Sequence, residues 1–294
     1  MFDESCSTFV SSGAFKSRSV KEIVGWALDT GIHHIELGSG TQWVADFLSP
    51  VRATAGRPIR YLFHNYFPPH QTPFVLNLAA ADPETLTRSR EHCRLAVDLS
   101  AELEGAFFSV HAGFAFAARP EQLGQNLTKT PRVSLEKAHG IFVASLRDLC
   151  AYAARKNIRI AVENNVIAPF NLVGGKNRLG LCASAEDILR TYREVGCSNL
   201  GFLIDVGHLK VTANSLGFDM HRFLDDVASH VLAFHLSDND GTADQNRPFD
   251  ERAWFIPRLG DFSNAVMVLE AYNLEISEIR ANCAVIERAH QHAH

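Results

Sequence analysis

Glu163, Asp205, His235 and Glu270 are the residues of this sequence whose types and positions suit metal chemistry. Glu163 ends the run IRIAVE, Asp205 ends LGFLID, His235 lies near the end of HVLAFHL, and Glu270 ends AVMVLE. Each is placed where a short apolar run gives way to a loop. Two glutamates, an aspartate and a histidine form a hard, oxygen-rich donor set that suits Mn²⁺, Mg²⁺, Co²⁺ or Zn²⁺ without selecting among them. The alternative is that each carboxylate caps the following helix or pairs with an arginine. That alternative weakens for the four together, because carboxylates sharing one apolar-walled mouth repel unless a cation is present.

Three histidines stand in similar positions. His64 ends RYLFH, His111 ends AFFSVH, and His208 follows Asp205 in IDVGH. A single histidine is more often a satisfied structural residue than a ligand, but two at successive run ends, His64 and His111, favour a functional reading. The loop HLSDNDGTADQN adds Asp238, Asp240 and Asp244 as further ligand candidates, against the plainer reading of a solvated acidic loop. Gly174, Gly175 and Lys176 lack the spacing of a phosphate-binding loop and read as a turn. Arg119, Lys129 and Arg132 could meet an anionic substrate or simply face water. His290, His292 and His294 could bind metal adventitiously but read as a disordered tail.

The elements that must position these residues follow from the alternation of short β-branched and aromatic runs with longer amphipathic stretches, the signature of repeated βα units around a parallel sheet. Eight runs are expected as strands: Cys6–Val10, His34–Leu37, Arg60–His64, Ala106–His111, Ile158–Glu163, Leu200–Asp205, Val231–Leu236 and Ala265–Glu270. Helices are expected over Val20–Thr30, Pro83–Glu102, Ser134–Lys156, Ala185–Glu194, Phe218–Ser229 and Glu275–His290, with a short seventh-unit segment, Asp250–Leu259, cut by Pro257. Asp82, Ser184 and Asp250 suit N-caps, and Gly31 and Gly196 suit helix stops. The long loops follow strands, as catalytic loops do in a (β/α)₈ barrel. The expected fold is therefore an α/β TIM barrel formed by residues 1–294 as one domain, with its site at the C-terminal ends of the strands.

Composition agrees. A chain of 294 residues at 46% hydrophobic can bury one large core. No run of 18 apolar residues appears, and Met1–Glu4 lacks a secretory signal pattern, so a cytoplasmic location and no membrane partner are expected. The six cysteines are scattered without a paired motif and read as reduced thiols. A net charge of −5 gives no global basic footprint. A small, polar, carbohydrate-like substrate fits better than nucleic acid, and a homo-oligomer stays open.

The fragments FHNYFPP, SVHAGF, AVENN, LIDVGH, FHLSDNDG and MVLEAY, in this order, resemble the xylose-isomerase-like superfamily, which includes sugar isomerases, sugar epimerases and endonuclease IV. The resemblance runs from the second strand onward. It implies that Glu163, Asp205, His235 and Glu270 hold one metal, as in the epimerase branch, with His208 contacting substrate. The endonuclease branch implies that His64 and His111 join Glu163 around another metal. Its third metal uses the His208 position and an Asp-x-His pair, which here reads Asp244, Gln245, Asn246, so the third site loses a ligand.

On this resemblance the expected function is isomerisation or epimerisation of a sugar, polyol or keto-compound. The metal would acidify a carbon-bound proton, and Glu163 and Glu270 would remove and return it through an enediolate, with His208 orienting an oxygen. A dehydratase using the same enolate, a metal-dependent phosphodiester hydrolase and a non-catalytic binding protein are the alternatives.

Overall fold

A parallel strand needs a long crossover before its neighbour, and eight such units close the sheet of this chain on itself. The structure, a computed structural model, describes residues 8–38 and 40–291. Its strands are β1 (Phe9–Ser11), β2 (His34–Leu37), β3 (Arg60–His64), β4 (Phe107–His111), β5 (Arg159–Glu163), β6 (Leu200–Asp205), β7 (Val231–Leu236) and β8 (Val266–Leu269). They form a closed barrel in sequence order, every pair parallel. The expected α/β barrel is the observed one.

The helices are α1 (Val20–Thr30), α2 (Ser49–Arg52), α3 (Pro83–Glu102), α4 (Leu135–Ala154), α5 (Ala185–Val195), α6 (Val206–Leu216), α7 (Met220–Val227) and α8 (Ile276–Gln291). Local chemistry sets their ends. The side chains of Ser19, Asp82, Ser134 and Ser184 accept from the first-turn amides of α1, α3, α4 and α5, while Gly31 and Gly196 stop α1 and α5 in the left-handed conformation.

Four expectations need correction. The first strand is Phe9–Ser11 rather than Cys6–Val10, with Cys6 and Ser7 outside the described residues. The region after β6 holds two helices, α6 and α7, where one was expected over Phe218–Ser229. The seventh-unit segment is a 3₁₀ run over Ile256–Phe262, with Pro257 in its first turn, so Asp250 caps only the turn at Arg252. Finally, β8 closes at Leu269, leaving Glu270 one residue beyond the strand.

Alternation along the strands divides the side chains into two populations. Phe63, Phe108, Val162, Ile204 and Phe234 point outward into the core shared with the helices. Leu62, Phe107, Ala161, Leu203 and Ala233 fill a separate apolar layer inside the barrel. Two residues further along these same strands come His64, Ser109, Glu163, Asp205 and His235, all buried. The barrel interior is thus apolar below and polar at its C-terminal mouth. Among the described residues, no helix is long and apolar enough to cross a membrane.

Candidate metal centre

Strand register brings the polar layer together. His111 pairs with Glu163 across β4 and β5, and Asp205 pairs with His235 across β6 and β7. The Glu270 amide donates to the Leu236 carbonyl at 3.0 Å, fixing the chain just past β8 beside β7. Glu163, Asp205, His235 and Glu270 each present a ligand atom, and these atoms all lie within 4.8 Å of one another. The residues expected to share one ion-sized site therefore converge.

Three atoms of the group are buried without a hydrogen-bond partner: Glu163 Oε2, Asp205 Oδ2 and His235 Nδ1. His235 Nδ1 lies 2.7 Å from Glu270 Oε2 and 3.6 Å from Glu163 Oε1, close but not aligned for a hydrogen bond. Orphaned buried donors and acceptors are costly, and a cation is the partner that satisfies carboxylate oxygens and an imidazole lone pair together. The donor set fits a divalent ion.

Asp205 has two tasks, one for each oxygen. Its Oδ1 accepts from the His208 amide at 2.7 Å and caps α6, while Oδ2 faces the cluster. The capping alternative and the ligand reading are both satisfied by the same side chain. Asn164 braces it, donating to the Asp205 carbonyl at 3.2 Å and accepting from its amide at 2.8 Å.

The histidines complete the mouth. His64 Nε2 and His111 Nε2 stand 3.3 and 3.2 Å from Glu163 Oε2, and the three form a second group able to hold an ion. Ser109 Oγ bonds His64 Nδ1 at 3.0 Å and fixes its ring. His208 Nδ1 lies 2.9 Å from the Asn164 carbonyl, and its Nε2 lies 3.3 Å from Asp244 Oδ2. Asp244 thus reaches the site through His208. The other loop acids do not: Asp238 pairs with Lys210 at 2.7 Å, and Asp240 accepts from Thr242 and Gln245.

The lesser candidates are taken up elsewhere. Arg119 pairs with Glu121, Arg132 donates to the Thr128 carbonyl, and Gly174 and Gly175 form the turn joining Val173 to Lys176. His290 contacts the Phe262 carbonyl, while His292 and His294 lie outside the described residues.

Electrostatics reflect this crowding. Burial pushes the Asp205 carboxyl up to about 8 and raises that of Glu270. Burial would lower His235, but the carboxylates of Glu270 and Glu36 override it and hold the imidazole well above its ordinary value. Burial keeps His64 neutral, as a metal ligand must be.

Two residues of the site went unnoticed in the sequence. Glu36, on β2, is fully buried and meets His235 Nε2 across the barrel at 2.9 Å. Tyr272 brings its hydroxyl 3.4 Å from Glu270 Oε1. Glu36 shares the inward parity of its neighbours two positions after His34 in HIEL, which was the available signal. Tyr272 stood in the fragment MVLEAY, two residues after Glu270, but no role was read for it there.

The model of the xylose isomerase-like TIM barrel family matches residues 24–277. The chain belongs to this family. Among solved structures, this xylose isomerase-like barrel is similar to a D-tagatose 3-epimerase-like protein at 18% identity and TM-score 0.68, covering 97% of each chain. It is also similar to 3-keto-D-glucoside 4-epimerase from E. coli at 15% identity and TM-score 0.68, covering 97% of this chain and 99% of the other. D-psicose 3-epimerase from Clostridium cellulolyticum aligns at 13% identity and TM-score 0.63, covering 97% and 96%. No curated protein matches the sequence.

Proposed function

We propose that this barrel is a divalent-metal-dependent isomerase or epimerase of a sugar, polyol or related keto-compound. The observation that carries the reading is the cluster of Glu163, Asp205, His235 and Glu270, whose ligand atoms lie within 4.8 Å and include three that are buried and orphaned. The epimerases named among its structural neighbours support the substrate class. A bound ion would supply positive charge next to a carbonyl and hydroxyl, acidifying the intervening carbon-bound proton and offsetting enediolate charge.

The chain's own groups do the rest. Glu270, whose carboxyl burial raises above its ordinary value and to which the Tyr272 hydroxyl donates, is suited to accept a proton from substrate. Glu163 is the second carboxylate, and epimerisation needs one group to take the proton and another to return it. His208, held by Asn164 and Asp244, orients a substrate oxygen. Loss of a hydroxyl from the carbon beside the same enolate would give a dehydratase.

The group of His64, His111 and Glu163 favours a second reading, phosphodiester hydrolysis with two or more ions. Metal analysis separates the two. One tightly held ion per chain is expected for the isomerase, with two or three for the hydrolase. Failure to retain any divalent ion would overturn both.

A further inference from the structure

Behind the candidate ligand His235, on the side away from Glu163 and Glu270, lies a fourth carboxylate. Glu36 comes from β2, faces the barrel interior and is wholly excluded from solvent. His235 Nε2 donates to Glu36 Oε2 at 3.1 Å and lies 2.9 Å from Oε1, while its Nδ1 faces Glu163 and Glu270. The imidazole is clamped between the two sides of the barrel mouth.

We infer that Glu36 is a positioning residue for metal binding, fixing the tautomer and ring angle of His235 through the Glu36–His235 pair. The inference rests on the metal-centre reading above. A carboxylate cannot donate a hydrogen bond, so the shared proton resides on Nε2 of His235. A neutral imidazole holding its proton there presents a bare lone pair at Nδ1, the atom that faces the other ligands and has no hydrogen-bond partner. The buried negative charge also makes the ring more basic and a stronger ligand. Without it, the ring could turn or place its proton on Nδ1, and that proton would block coordination.

Packing explains why the carboxylate stays aimed. Glu36 is held in register against Leu62 of β3 and Ser11 of β1. Its own burial without His235 would be costly, so the two residues stabilise one geometry between them. His64 closes the remaining side, its ring centroid 4.8 Å from that of His235.

The test compares Glu36→Gln and Glu36→Ala with the unaltered protein after chelator stripping. Titration with Mn²⁺ gives affinity, the visible spectrum of the Co²⁺-loaded protein reports ligand geometry, and ¹⁵N NMR of His235 gives the tautomer. Affinity should fall about 10- to 100-fold in both variants, as outer-shell changes at metal sites do. The Co²⁺ spectrum should shift, and the His235 proton should no longer reside on Nε2 alone. Glutamine matches glutamate in shape, so it keeps the comparison valid should the alanine variant fail to fold. Tight binding by the unaltered protein that Glu36→Gln leaves unchanged, with the same spectrum, would overturn the role of Glu36 alone. Absence of binding by the unaltered protein would overturn the metal-centre reading, and this inference with it.

Discussion

Glu270 Oε2 stands 2.7 Å from His235 Nδ1, while the other oxygen of Glu270 lies 3.4 Å from the Tyr272 hydroxyl. One side chain thus touches both a histidine of the candidate donor set and the Tyr272 phenol. That dual contact separates binding from proton transfer experimentally. Glu270→Gln keeps an oxygen able to coordinate but cannot take up a proton. Turnover should fall on the order of 10²- to 10⁴-fold while ion content, measured alongside, stays near that of the unaltered protein. Unchanged turnover in the ion-loaded variant would remove Glu270 from acid–base chemistry.

Asp205→Asn should separate folding from metal binding. The asparagine oxygen can still cap α6 at the His208 amide, but the group facing the cluster becomes an amide nitrogen. Ion affinity should drop by more than the ~100-fold typical of outer-shell changes. Stability of the stripped protein should move the other way. Burial raises the folded carboxyl from 3.8 to about 8, so its stabilising contribution is complete below pH 3.8 and is lost as pH rises through 8. At neutral pH the carboxyl must take up a proton to be buried and the asparagine need not, so the substitution should raise Tm in the presence of chelator, read by calorimetry.

Most of this architecture was legible because strand periodicity and site chemistry coincide. A strand that is outward-apolar, inward-apolar and then inward-polar at its last residue, as in β5 and β6, announces both the barrel and its mouth. Glu36 escaped because it sits one residue before the end of β2 and so did not look terminal. Helix α6 escaped for a different reason. Its sequence VGHLKVTANSL is poor in strong helix formers, and α6 forms through the Asp205 cap and burial of Leu209, Val211 and Ala213. Tertiary packing also settled the seventh unit, where Pro257 leaves a 3₁₀ run.

Acid stability should report His92, which no functional reading requires. His92 Nε2 donates to the Asn65 carbonyl at 2.6 Å, and its Nδ1 lies 2.7 Å from His70 Nε2. Burial lowers it to about 4, with His70 and Arg88 adding to the effect. The folded ring stays neutral between pH 6.5 and 4 while the unfolded ring takes up a proton. Stability is thus full above pH 6.5 and falls as pH drops toward 4, by about 3 kcal/mol. His92→Gln keeps an N–H for Asn65 without titrating, and denaturant titrations across this range should show a flatter profile. An unchanged slope would contradict the assignment.

Gly13 tests the role of Tyr272 from a distance. A Cβ at Gly13 would sit 2.5 Å from Tyr272 Cε1, so Gly13→Ala must displace the ring that reaches Glu270. Activity should fall on the order of tenfold to a hundredfold through misplacement, with ion content retained. Tyr272→Phe should reproduce the loss without moving the ring. Full activity in both variants would leave the tyrosine outside the reaction.

In the proposed reaction this barrel moves a carbon-bound proton of a sugar at a divalent ion. Its most direct test is NMR of ketohexoses incubated in D₂O with the Mn²⁺-loaded protein and then freed of metal. Solvent deuterium should enter one carbon next to the carbonyl, require the ion, and disappear with Glu270→Gln. No deuterium in any sugar, together with cleavage of abasic DNA by the same preparation, would contradict the account and assign the site to phosphodiester hydrolysis.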